Sequence, residues 1–217
     1  MKRYLFVAWF VVATVFAASA IRAAAPSASS TSTTNLTTET KKPDVVFVPT
    51  PQPVVDKMLE LAEIKPGDIV YDLGCGDGRI VVTAAKRYGV RAIGVDIDPE
   101  RVKESLENVR SNKVEHLVTI LQKDIFAMDF SDATVVFLYL LPSLNVKLMP
   151  QLAKLKPGSR IVSHDFDMRG AKPVKVVTVT ANNDNGDYSS EHTIYKWVVP
   201  WEKEGSGDPA EKPRDKK

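Results

Sequence analysis

Two hydrophobic rhythms alternate between residues 44 and 200. Nearly continuous apolar runs at Ile69-Val70-Tyr71, Ala92 to Val95, Leu117 to Leu121, Ala133 to Leu141 and Ile161-Val162 predict short strands buried on both faces. Between them the spacing turns helical. Val54, Val55, Met58, Leu59 and Ala62 share one face of a first helix, with Thr50 as its N-cap and Lys65-Pro66-Gly67 after its end. Ile80 to Tyr88 forms a second, closed by Gly89. Asp98-Pro99-Glu100 opens a third, with Asp98 capping and Val102, Leu106 and Val109 on one face. A fourth runs from Ser143 to Leu155, interrupted by Pro150. Strands alternating with helices predict an α/β domain built on a mostly parallel sheet. Val174 to Thr180 and His192 to Val199, around a turn at 182–187, predict a closing antiparallel hairpin with Tyr195 and Trp197 in the core.

The polar residues that carry chemistry sit where the predicted strands end. Asp72-Leu73-Gly74-Cys75-Gly76-Asp77-Gly78 joins the first strand to the second helix. Glycines there let the backbone turn sharply and approach a ligand, and the helix that follows aims free N–H groups at it. A dinucleotide loop needs a glycine where Arg79 stands, which disfavours a nicotinamide oxidoreductase. A carboxylate at the strand end suits a ligand with a cationic amino group better than a pyrophosphate. Asp96, at the end of the next strand, is placed to take both hydroxyls of a ribose. The loop resembles motif I of the class I S-adenosylmethionine (SAM) dependent methyltransferases.

That resemblance extends over the domain. Phe47-Val48-Pro49-Thr50, Gly74 to Val81, Gly94-Val95-Asp96, Tyr139 to Ser143 and Val162-Ser163-His164 resemble the small lysine methyltransferases that modify the mitochondrial adenine nucleotide translocase and the ATP synthase c subunit. It implies a Rossmann-like sheet of seven strands, mostly parallel with an antiparallel C-terminal hairpin, and helices on both faces. It further implies SAM as cofactor, held by Asp72, Gly74, Cys75, Gly76, Gly78, Asp96, Ile97, Asp124 and Ile125. Asp124 also reads as a turn-forming carboxylate, the alternative to a partner for the adenine amino group.

The implied acceptor is a protein lysine, whose amine must be neutral to attack. From an ordinary pKa of about 10.4, deprotonation at pH 7 costs roughly 4 to 5 kcal/mol, so burial and a proton path are required. Tyr139, His164 and Asp165 are the candidates for handling the acceptor. Tyr139 reads equally as core, and His164-Asp165-Phe166-Asp167 equally as a capped loop with a surface histidine. A metal set of His164, Asp165 and Asp167 lacks further ligands, so no metal is expected. Tyr139-Leu140-Leu141-Pro142 replaces the Asn/Asp-Pro-Pro-aromatic motif of enzymes acting on planar nitrogens, which argues against DNA adenine or glutamine. Small-molecule methylation and a non-catalytic SAM-binding module are the alternatives.

Charge changes little: 29 basic and 27 acidic residues give a net +2, too balanced to argue for nucleic acid. One cysteine excludes an internal disulfide. Residues 1–25 start with Lys2-Arg3, continue apolar from Tyr4 to about Ala18 and end in small residues, the layout of a signal peptide or membrane anchor. Either places the domain exported or membrane-attached, on the extracytoplasmic side, in tension with a cytosolic cofactor. Residues 26–43 read as a Ser/Thr-rich tether carrying the sequon Asn35-Leu36-Thr37, 44–200 as the methyltransferase domain, and 201–217 as a solvated charged tail. The chain is expected to act as a monomer.

Overall fold

A computed structural model describes residues 42–182, 186 and 188–205. The signal or anchor at 1–25, most of the tether with its sequon, and the tail beyond Gly205 lie outside the described residues, as does most of the hairpin turn. Among the described residues no helix is long and apolar enough to cross a membrane.

The elements alternate as the apolar pattern predicts: α1 (Gln52–Ala62), β1 (Ile69–Leu73), α2 (Arg79–Tyr88), β2 (Arg91–Asp96), α3 (Pro99–Ser111), β3 (Val118–Gln122), β4 (Val135–Leu138), α4 (Pro142–Leu152), β5 (Arg160–His164), β6 (Lys175–Asn182) and β7 (Ser189–Val198). They form one seven-stranded sheet in the order β3-β2-β1-β4-β5-β7-β6. The first five strands run parallel, and β7 enters antiparallel between β5 and the edge strand β6. This is the Rossmann-like architecture. Parallel pairing brings the C-terminal ends of β1 to β5 to one rim, where ligands of open α/β sheets bind.

Strand alternation divides the core in two. Val70, Ala92, Val135, Phe137 and Val162 face α1, α2 and α3, while Tyr71, Leu73, Ile93, Val136, Leu138 and Ile161 face α4 and Trp197. Phe137 and Trp197 are wholly buried, so truncating either ring to alanine costs about 3 to 5 kcal/mol. Away from the ligand rim, Arg160 donates to the Ala62 carbonyl (3.0 Å) and pairs with Asp68, closing the open end of α1.

Three local features depart from the pattern. Pro51, not Thr50, stands at the N-cap of α1, without a side-chain bond, because Pro53 already fixes the first turn and the Thr50 hydroxyl points elsewhere. Pro150 does not interrupt α4; it falls in its last turn. The predicted solvated tail starts later than Trp201, because Lys203 bridges to Ala171 while the Lys172 N–H donates to the Glu202 carbonyl (2.8 Å). Asp98 caps α3 as expected, accepting from the Glu100 N–H at 2.8 Å.

Candidate active site

The glycine loop is held from three sides. The N–H groups of Gly74 and Cys75 donate to the Val95 carbonyl (2.8 and 3.0 Å), which ties the loop to β2. Asp96 accepts from the Gly76 N–H through one oxygen and from the Asp98 N–H through the other, both at 2.9 Å. Ser105, on α3, donates to the Gly76 carbonyl at 2.6 Å. Gly76 has φ +55, and a Cβ there would stand 2.0 Å from the Phe47 ring, so only glycine lets that ring lie on the loop.

Arg79, where a dinucleotide loop would have glycine, has a structural task of its own. Its guanidinium spans both carboxylate oxygens of Asp77 and donates to the Thr50 carbonyl at 2.7 Å. It thereby fastens residues 47–50 over the loop, with the Arg101 guanidinium 5.1 Å from the centre of the Phe47 ring.

Beneath this cover lies a cavity of about 460 Å³, within the size range of cofactor sites. Asp72, Gly74, Cys75, Asp96, Ile97, Asp124, Ile125 and Tyr139 all line it. Gly76 and Gly78 do not; they lie under Phe47 and Ser105 and shape the loop from behind. Asp124 has both of its expected features, since it accepts from the Phe126 N–H at 3.0 Å to form the turn and also faces the cavity.

The electrostatics select the ligand. Asp72 is 3% exposed, and its carboxyl has no hydrogen-bond partner among the described residues. Burial, reinforced by Asp96 and Asp77, pushes its pKa up to about 8. A buried carboxyl in want of a counter-charge fits the ammonium and sulfonium of SAM, whereas a pyrophosphate would meet three acidic side chains. Ile97 and Ile125 present apolar side chains to the cavity, and Asp96 and Asp124 present carboxylates to it.

A further part of the lining is aromatic and aliphatic: Tyr139, Leu140, Leu141, Leu144 and Phe166. Burial, with Asp165 and then Tyr188 adding to it, raises the Tyr139 phenol. His164 and Asp165 are not in the lining. His164 is wholly buried behind Tyr139, their ring centres 3.9 Å apart, which removes the surface-histidine alternative. Its Nδ1 meets the Thr50 hydroxyl at 3.2 Å, and its Nε2 meets His192 Nδ1 at 2.9 Å. Burial pushes its pKa down to about 4, with Asp165 opposing and His192 adding to the shift. Asp165 sits at φ +57 and accepts from the Thr193 N–H at 2.8 Å.

The position of Phe47 to Thr50 ahead of the first helix already suggested a cover over the ligand; sequence reasoning missed the bond of Thr50 to His164, the task of Arg79, and His192. Only the sharing of one sheet rim by β5 and β7 could have pointed to His192. It also corrects the metal-set reading, because His192, not Asp167, joins His164 and Asp165.

Fold and cavity together define a SAM-dependent methyltransferase. Residues 72–175 match the ANTKMT methyltransferase domain. A protein-lysine N-methyltransferase of Saccharolobus islandicus (strain REY15A) is 48% identical over 159 residues, covering 72% of this chain and 95% of that protein. The chain belongs to this family. A crystal structure described as an RNA methyltransferase from Salinibacter ruber, in complex with S-adenosyl-L-homocysteine, is 46% identical with a TM-score of 0.62, covering 77% of this chain and 98% of that one. A ribosomal protein L11 methyltransferase from Nitrosomonas europaea is 34% identical over 108 residues, spanning 46% of this chain but 34% of that protein. The expected family, fold and cofactor are thus borne out.

Proposed function

We propose that this protein transfers a methyl group from SAM to the ε-amine of lysine residues in a protein. The observation that carries the acceptor class is the match to 95% of the Saccharolobus protein-lysine N-methyltransferase. When bound, SAM supplies an electrophilic methyl on a positively charged sulfur. The chain's own residues do the rest. Asp72 ionises against the amino end of the ligand, Asp96 takes the ribose, and Phe47 covers the loop so that water is kept out.

Tyr139, Leu141, Leu144 and Phe166, which line the cavity, offer the four-carbon stem of lysine an apolar surface. Such surroundings disfavour an ammonium, so the lysine gives its proton to water as it enters. The neutral nitrogen then takes the methyl while the sulfur keeps the bonding pair and S-adenosylhomocysteine leaves. The Tyr139 hydroxyl orients the neutral amine. His164 acts through Tyr139 as a positioning residue, and the carboxyl of Asp165 is directed to Thr193 and the histidines.

Export or membrane attachment is proposed on the Lys2-Arg3 start and the apolar run that follows. A balanced net charge of +2 supports protein over RNA, since phosphate binding needs clustered cations. The test is incubation of the full chain with methyl-labelled SAM and, separately, lysine-bearing proteins and total RNA. Label recovered as methyl-lysine supports the proposal; label in RNA alone overturns it.

A further inference from the structure

Behind the cavity wall, three side chains from two places in the chain, the adjacent His164 and Asp165 and the distant His192, converge on one point. His164 Nε2 and His192 Nδ1 are 2.9 Å apart, and Asp165 Oδ2 lies 3.2 Å from the first and 3.3 Å from the second. We propose that these three atoms form a binding site for a divalent first-row transition metal ion, of which zinc is the representative.

The geometry is that of one face of a coordination polyhedron. Ligand atoms about 2.0 to 2.2 Å from an ion, at angles between octahedral and tetrahedral, stand about 2.8 to 3.5 Å from one another. All three separations lie in that interval. Two imidazoles and a carboxylate are ligands that zinc, cobalt and iron accept.

The outer nitrogens have hydroxyl partners that permit the tautomer a metal needs. His164 Nδ1 meets the Thr50 hydroxyl at 3.2 Å, and His192 Nε2 meets the Ser190 hydroxyl at 2.9 Å. With the ring protons donated outward to those oxygens, both inner nitrogens present lone pairs, the tautomer a metal needs. Three lone pairs facing one another repel unless a cation lies between them. A single inner proton would serve one pair and leave a nitrogen against the carboxylate.

The setting suits a bound ion with open positions. His164 is wholly buried, while the side chains of His192 and Asp165 keep 12% and 28% of their exposure, giving a path for entry and room for water. The ion would pin the end of β5, the left-handed turn at Asp165 and β7. Through Thr50 and the ring of Tyr139 it would set the wall of the cavity from behind. This holds whatever the acceptor proves to be.

The experiment is a Co(II) titration of the full chain, purified without a histidine tag and stripped with EDTA, followed by visible absorption and by calorimetry with Zn(II). The expected result is a one-to-one spectrum with d–d bands, displaced by Zn(II), and a rise in melting temperature with Zn(II). His192→Ala removes it. Ser190→Ala, which leaves all three ligands in place, weakens it by about tenfold to a hundredfold. Replacing the exposed His116, the third histidine of the chain, leaves it unchanged. Absence of a one-to-one spectrum in the wild-type chain, or loss of binding on His116→Ala instead, overturns the proposal regardless of how the other variants fold.

Discussion

The ring of Phe47 lies against Gly76, so close that a Cβ on that glycine would stand 2.0 Å from a ring carbon. Cover and loop are therefore one unit. Gly76→Ala meets two penalties, a left-handed φ costing about 1 to 2 kcal/mol and the collision with the ring. Gly89, at φ +63 with open space around it, isolates the first penalty. Gly76→Ala is expected to weaken SAM binding by at least about tenfold, and Gly89→Ala to leave it unchanged, by calorimetry. In Gly76→Ala with Phe47→Ala, stability recovers in part but affinity does not.

Asp72 sets a pH dependence. Its pKa in the fold is about 8, against an ordinary 3.8, so the fold favours the neutral form. Its stabilising contribution is present below about pH 4 and declines as the pH rises toward 8. Asp72→Asn is expected to raise the melting temperature of the ligand-free protein at pH 7 to 8 and flatten its slope over that interval. The same variant loses SAM affinity, because the counter-charge for the amino group is gone. Melting curves from pH 5 to 8.5 check the first point; an unchanged slope would count against the buried position of Asp72.

Arg79 fastens the cover to the loop. Arg79→Lys keeps the charge but cannot span Asp77 and reach the Thr50 carbonyl together. We expect a loss of about 1.5 to 3 kcal/mol in urea unfolding, with SAM dissociating faster.

Tyr139 divides binding from chemistry. Tyr139→Phe keeps the ring packed on His164 and removes the hydroxyl. The expected outcome is a fall in kcat of roughly a hundredfold with the SAM dissociation constant unchanged. Equal losses in both would assign Tyr139 to packing alone.

Much of this site was legible in the sequence because its signals are local. The strand-loop-helix around Asp72 and the carboxylate at Asp96 each rest on neighbouring residues, and all seven strands follow from runs of a few apolar positions. What was not legible depends on contacts between distant residues. Thr50 carries a typical capping side chain, yet its hydroxyl is taken by His164, 114 residues away. His192 alternates along a strand like any half-buried residue, and only the antiparallel entry of β7 beside β5 brings it to His164. Arg79 breaks a glycine pattern, and a pattern reports the break without the task.

The central claim is that this cavity holds SAM, with Asp96 as its ribose partner. A calorimetric titration of the full chain with SAM, beside Asp96→Ala, tests it most directly. The account predicts binding by the wild type and a loss of at least about tenfold in the variant, since Asp96 orients the loop and the ribose at once. Absence of binding by a folded wild type, or equal affinity in the two, would contradict it.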